Sequence, residues 1–258
     1  MPIAGELHYF FHEGGDASRP PVVLIHGEGG NHLTWPSDIR RLAGYCVYTL
    51  DLPGHGRSEG PGLQSAADYA RSVLTFMNSA GMSRAVLVGH GLGGAIAQTL
   101  ASEHPDRIAG LVLIASGARL PIPSAVMENA ANPATFPLAL QALQAVMFAS
   151  QAETKVKGAT FERLSAVRQT LLFGDLLACD AFDLSDRLAA LRTPVLVVCG
   201  TEDRLTPLRL SEELAGSIPG AALQTIDGSG HLVMLEQPRR LAGLLTIFLA
   251  TVPYRPGA

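Results

Sequence analysis

Five short runs without a single charge constrain this chain more than anything else in it: Val22-Val23-Leu24-Ile25, Val47-Tyr48-Thr49-Leu50, Ala85-Val86-Leu87-Val88, Leu111-Val112-Leu113-Ile114 and Val195-Leu196-Val197-Val198. A strand with one wet face alternates apolar and polar side chains. A strand apolar at nearly every position must be buried on both faces, which is the condition of a parallel sheet sandwiched between helices. Each run meets a turn rich in Gly, Pro, Asp or Ser, and helical stretches separate the runs, so the spacing predicts an α/β fold. In such sheets the functional groups gather beyond the carboxyl ends of the strands. His8 to His12 is expected as an edge strand and Ala222 to Ile226 as the last strand. Pro238 to Ala250 reads as a closing helix with Pro in its first turn.

Strands of this kind consume uncharged residues, which accounts for a composition of only 16% charged side chains in 258 residues. The charges divide into 19 basic and 23 acidic with no long run of either sign, so a basic face for nucleic acid is not expected. The two longest uncharged stretches do not read as bilayer spans. Ala85 to Ser102 carries His90 and four glycines near its middle, and Asn129 to Ala152 is interrupted by Pro133 and Pro137. The opening residues Met1 to Glu6 lack a basic region followed by an apolar one, so no signal peptide and a cytoplasmic location are expected. Cys46, Cys179 and Cys199 are odd in number and far apart, which argues against disulfides and metal clusters, and Cys199 reads as a buried strand thiol. The strand–helix alternation stops between Pro121 and about Arg192. There Leu138, Leu140, Leu143, Val146 and Met147, then Leu164, Val167, Leu171 and Leu172, fall at helical spacing. The expected organisation is a core of residues 1–120 and 193–258 with a helical insertion at 121–192.

The chemistry concentrates at the strand ends. Gly89-His90-Gly91-Leu92-Gly93-Gly94 follows a strand and opens a helix, with the shape of a nucleophile elbow, G-x-S-x-G, except that its centre is Gly91 and not serine. Asp203 stands just past the strand ending at Cys199, where a carboxylate can orient a histidine, and His231 sits on the loop Asp227-Gly228-Ser229-Gly230 after the last strand. The loop His26-Gly27-Glu28-Gly29-Gly30-Asn31 follows the first buried strand. Its Gly27 and Glu28 backbone N–H groups, with that of Leu92, are candidates for an oxyanion hole. With the order elbow, acid, histidine, the chain resembles the α/β-hydrolase family over nearly its whole length. Asp51-Leu52-Pro53-Gly54-His55-Gly56-Arg57-Ser58 looks like the family's D-x-P-G-x-G-x-S loop. His104-Pro105-Asp106-Arg107-Ile108, leading into Leu111-Val112-Leu113-Ile114, looks like its helix-to-strand passage. In style the chain is similar to small esterases, enol-lactonases of the 3-oxoadipate type and C–C bond hydrolases.

The resemblance implies an α/β-hydrolase fold, a mostly parallel central sheet flanked by helices with a helical cap at 121–192, and a catalytic constellation of His231, Asp203 and the elbow position Gly91. Glu202, next door, is the alternative partner for His231. His26 shapes the oxyanion loop and is a candidate substrate contact, as are Met127, Phe136, Met147 and Phe173, although apolar residues at helical spacing also read as core. His55 and His90 belong to architectural motifs, and Ser116 and Ser229 lie in loops without elbow geometry. Glycine adopts the elbow's positive φ without a Cβ penalty, so Gly91 relieves strain while removing the hydroxyl of an acyl-enzyme. Three functions follow: a hydrolase of small carboxylic esters or lactones in which His231, oriented by Asp203, activates water above Gly91; a non-covalent acid–base lyase or isomerase; or a ligand-binding relative, natural or engineered, without catalysis. The expected partner is a small acyl or lactone compound, with no membrane role. No cofactor or metal is expected, since there is no clustered ligand spacing and Gly27 to Gly30 lacks G-x-G-x-x-G.

Overall fold

The structure is a computed structural model that describes residues 2–15 and 18–254, so residues 1, 16–17 and 255–258 of the expected core lie outside the described residues. Eight strands form one sheet: β1 (Ile3–Ala4), β2 (Leu7–Glu13), β3 (Val22–Ile25), β4 (Cys46–Leu50), β5 (Ala85–His90), β6 (Ile108–Ile114), β7 (Val195–Gly200) and β8 (Ala222–Ile226). Their order across the sheet is β1-β2-β4-β3-β5-β6-β7-β8. β1 and β2 pair antiparallel at one edge, and from β4 onward every pair is parallel. The segment His8 to His12, expected as an edge strand, lies in β2, one place in from the edge with the two-residue β1 outside it. β2 also pairs antiparallel with β4, and each of the five charge-free runs has at least one parallel neighbour.

Both faces of the sheet are covered, as the runs require. On one side Val23, Ile25, Leu87, Leu111, Leu113 and Val197 pack with helices α2 (Ala66–Ser79) and α3 (Leu92–Glu103). On the other, Val22, Leu24, Val86, Val88, Val112, Ile114, Leu196 and Val198 pack against α1 (Ser37–Arg40) and, near the C-terminus, α10 (Pro238–Thr251). The helices follow from sequence. α2 starts where the Ser65 hydroxyl accepts from Asp68 N–H at 3.1 Å, a side-chain cap for an otherwise unpaired donor, and it buries Tyr69, Val73, Phe76 and Met77 on one face. α10 buries Leu241, Leu245 and Leu249, one residue per turn.

Between β6 and β7 the chain inserts α4 (Ser124–Ala131), α5 (Phe136–Met147), α6 (Thr154–Ser165) and α7 (Gln169–Asp180), over the stretch where the alternation stops. α8 (Leu208–Ser217) joins β7 to β8, and α9 (Val233–Glu236) precedes α10. None of these helices is long and apolar enough, among the described residues, to cross a membrane. The sheet has its switch point at β3. The chain leaves β3 for β4 on one side, whereas β5 lies on the other, so the carboxyl ends of β3 and β5 open onto a shared crevice, the usual place for a ligand in such sheets.

Candidate active site

Gly91 terminates β5 and caps α3 with φ 50° and ψ −117°, a conformation that an L side chain adopts only under strain. The turn is held on all sides. Gly91 N–H donates to Ile114 O at 3.1 Å, the N–H groups of Gly94 and Ala95 donate to Gly91 O at 2.9 and 3.2 Å, and the Ser116 hydroxyl donates to the same carbonyl at 3.2 Å. One turn on, Gly93 lies so close to β3 that a Cβ would meet the carbonyl oxygen of Ile25. The elbow geometry expected from sequence is present, with its central side chain missing.

His231 reaches the crevice from the β8–α9 loop, its N–H donating to Met147 O at 2.9 Å. Its Nδ1 faces Asp203 Oδ2 at 3.1 Å and the Thr206 hydroxyl at 3.0 Å. Asp203 is saturated: Oδ1 accepts from the N–H groups of Leu205 and Thr206, and Oδ2 accepts from the Thr206 hydroxyl at 2.6 Å. Burial raises the Asp203 carboxyl, but the facing His231 and these donors outweigh it and hold the group below the ordinary carboxylate range. Glu202 points elsewhere and accepts from Ser150 N–H at 2.8 Å, so Asp203 is the residue the fold places against His231. Behind it, His90 donates from Nε2 to His231 O at 3.1 Å, and burial lowers His90 to about 4, so its ring stays neutral.

The other nitrogen of His231 faces a second carboxylate. Glu28 Oε1 lies 3.6 Å from His231 Nε2, an ion-pair contact rather than a hydrogen bond, while Glu28 Oε2 accepts from Leu92 N–H at 3.4 Å. A Cβ built on Gly91 would come 2.7 Å from Glu28 Oε2 and 3.6 Å from His231 Nε2. The carboxylate thus fills the space above the elbow where a serine side chain would project. Burial disfavours both charges, yet the pair overrides it: Glu28 is held down by His231 and, further off, His90, and its own N–H adds to this. His231 is raised by Asp203 and Glu28. Both shifts favour the charged pair, Glu28 as carboxylate and His231 as imidazolium, with the Asp203 carboxylate behind it.

The loop carrying Glu28 is fixed from below and from the insertion. The His26 ring is fully buried; its Nδ1 donates to Gly27 O at 2.8 Å and its Nε2 accepts from Leu52 N–H at 3.1 Å. Both nitrogens are committed within the protein, so His26 shapes the loop and, contrary to the expectation of a substrate contact, leaves no free ring nitrogen for a ligand. From α7, Asp175 accepts from Gly29 N–H at 2.8 Å, from the Tyr69 hydroxyl at 2.6 Å and from His55 Nε2 at 2.8 Å. Since His55 Nδ1 faces Pro53 O at 3.0 Å, both His55 nitrogens meet acceptors and the ring is an imidazolium, which matches its pKa: burial lowers it, but Asp175 raises it further.

A tight pocket of about 10 Å³ lies over the elbow, lined by Glu28, Gly91, Ile122, Cys179, Leu205 and His231. Another, of about 40 Å³, also borders Glu28 and includes His90, Met147, Leu164 and Leu232. Of the apolar substrate contacts expected from sequence, Met147 lines this second cavity. Met127, Phe136 and Phe173 are partly buried residues packed against the apolar cluster that runs under the inserted helices. Sequence reading missed Cys179 and Asp175 and gave Glu28 only a backbone role. Two signals were present: a lone acid inside an otherwise uncharged oxyanion loop, and a lone acid inside the apolar stretch from Leu171 to Cys179. Among the described residues no group of three or more His, Cys, Asp or Glu is disposed to hold a metal.

A parallel sheet with its switch point at β3, a strand-to-helix elbow and a carboxylate-backed histidine in the order elbow, acid, histidine define the class. Residues 20–238 match the family model described as alpha/beta hydrolase fold, and the chain belongs to that family. RutD of Caulobacter vibrioides, named as a proposed carbamate hydrolase, is 30% identical over 256 residues, covering 94% of this chain and 95% of its own. The pimeloyl-[acyl-carrier protein] methyl ester esterase of Vibrio vulnificus is 28% identical, covering 89% of this chain and 94% of its own. The solved structure of Est816, described as an N-acyl homoserine lactone degrading enzyme, superposes with a TM-score of 0.84 at 27% identity over 94% of this chain and 96% of its own.

Proposed function

We propose that the protein hydrolyses a small carboxylic ester or lactone without a covalent intermediate, water taking the part of the missing hydroxyl. One observation carries this reading: His231 Nε2, backed by Asp203, lies 3.6 Å from the point where a Cβ on Gly91 would stand, and the Leu92 N–H lies beside it. The proton-handling group and the site of attack therefore share one small cavity with no nucleophilic side chain at the elbow, and one oxyanion donor, the Leu92 N–H, meets the Glu28 carboxylate that lines it. Helices α4 to α7 serve as the cap over this cavity. Relatives named for ester and lactone chemistry support the substrate class.

A panel of short acyl esters and lactones, with single turnovers in ¹⁸O-labelled water, tests it. The new carboxylate is expected to carry one labelled oxygen, and His231→Ala is expected to cost about 100-fold or more in kcat, the usual scale of acid–base assistance. Turnover indifferent to His231→Ala would sink the proposal. A second reading, proton abstraction from a carbonyl compound by the same groups, draws support from the Glu28 carboxylate on Leu92 N–H, because a negative charge there opposes an oxyanion. A product without labelled oxygen would favour it.

A further inference from the structure

We infer that Glu28 is the base of this site, taking the proton of the attacking water while His231 serves as the acid. The inference rests on the hydrolytic reading above and assigns the direction of its protons. Three observations converge on it. The carboxylate stands in the space of the absent side chain: a Cβ at 91 would lie 2.7 Å from Oε2, so a side chain there would have to displace it. The same carboxylate borders both cavities, so it meets whatever enters from either. And it lies 3.6 Å from His231 Nε2, which has no hydrogen-bond partner among the described residues. His231 flanked by two carboxylates carries a proton at rest. An imidazolium cannot accept a second proton, so among the described residues the free base facing the elbow is Glu28.

The steps balance. A substrate carbonyl oxygen replaces Glu28 Oε2 on Leu92 N–H, and the freed carboxylate stays beside His231. Water attacks the carbonyl carbon as Glu28 takes one of its protons, which forms the C–O bond and places the negative charge on the oxygen held by Leu92. The tetrahedral species collapses by breaking the bond to the leaving oxygen, which takes the Nε2 proton of His231 and departs as an alcohol. The proton on Glu28 then crosses to Nε2, restoring the pair. Net, one ester and one water give one acid and one alcohol, with no oxidant or cofactor. Glu28 is also the resident occupant of the Leu92 amide, so substrate competes with it for that donor.

The wild-type protein supplies the first test. The groups facing the reacting pair are Asp203, Thr206, His90 and Cys179, and of these Asp203 holds the proton on His231. With Glu28 as base and imidazolium as acid, kcat/KM holds level above neutrality and falls only as His231 loses its proton, at about 10; with His231 as base it climbs from neutrality toward that value. A rate that climbs with pH overturns the assignment whatever any variant does. The second test is Glu28→Gln, which keeps shape and removes the base: kcat is expected to fall about 100-fold or more with a smaller change in KM. Turnover retained or increased in Glu28→Gln would make Glu28 a plug in the oxyanion site and overturn the proposal while leaving the hydrolase reading standing. Absence of turnover by wild type across the panel would fail the hydrolase reading itself, and the base assignment with it.

Discussion

At the scale of single residues, Gly91 and Glu28 are two halves of one feature. Each alone looks like damage: a glycine where a nucleophile belongs, and a charge inside a loop of backbone donors. Together they exchange a hydroxyl for a carboxylate. It follows that Gly91→Ser by itself does not rebuild a serine hydrolase. The new Cβ would press on Glu28 Oε2 at 2.7 Å, and a non-glycine residue at φ 50° costs on the order of 1–3 kcal/mol. The expected outcome is a lower Tm and no covalent labelling by a fluorophosphonate. Gly91→Ser combined with Glu28→Ala frees the space and leaves the introduced hydroxyl facing His231 Nε2, so that variant is expected to label and to accumulate an acyl-enzyme visible by intact-protein mass spectrometry. Labelling of Gly91→Ser alone, to the same extent as the double variant, would show that Glu28 does not hold that space. The elbow, Asp203 and His231 were all legible in the sequence because their identity depends on local motif and chain order. The Glu28 side chain was not, because its direction is set by Leu92 and His231, which lie 64 and 203 positions away.

At the scale of elements, the insertion is tied to the core through one buried carboxylate. Asp175 on α7 binds His55 after β4, Tyr69 on α2 and the backbone of Gly29 next to Glu28, with no exposure to water. Such a pair is weak evidence for stability gained, yet removing one partner leaves a buried charge uncompensated. Asp175→Asn strands the His55 imidazolium, whose Nδ1 is committed to Pro53 O. The expected loss is about 3 kcal/mol or more, on the order of 10 °C in Tm for a chain of this size, read by calorimetry. A change within about 2 °C would mean that the carboxylate contributes no more than a neutral hydrogen-bonding group. Sequence periodicity located the inserted helices because their apolar spacing is internal to each one. It did not reveal the tie, since one acid in the apolar Leu171–Cys179 stretch has a partner only when α7 is laid against the loops of the core. For the same reason Met127, Phe136 and Phe173 read equally well as pocket or packing, and only the assembled cluster puts them in the packing.

At the scale of the whole molecule, the buried histidines set the pH at which the fold is most stable, because they fall into two groups of opposite sign. His231 and His55 have folded values above the ordinary 6.5; burial opposes this, but their carboxylate partners prevail. Their contribution is complete below pH 6.5 and is lost as pH rises through those folded values. His26 and His90 are lowered to about 4, mainly by burial and secondarily by a neighbouring imidazole. The native state refuses protons that the unfolded chain accepts, so their contribution is complete above pH 6.5 and erodes as pH falls toward 4. Glu28 and Asp203, held below their ordinary 4.5 and 3.8, add a further loss as pH drops below those values through their folded ones. The two limbs meet near 6.5. Calorimetric Tm measured from about pH 4.5 to about 8.5, below the range in which the raised thiols of Cys179 and Cys199 begin to weigh, is expected to peak close to that value and to fall on either side. Glu28→Gln removes one of the two carboxylates that hold the proton on His231, so its alkaline limb is expected to flatten while the His26 contribution, which Glu28 does not touch, remains. A wild-type Tm that stays level between pH 6.5 and 8.5 would mean that His231 and His55 are neutral in the folded protein. The carboxylate–imidazolium pair above Gly91 would then not be the resting state, and His231 would regain the part of base.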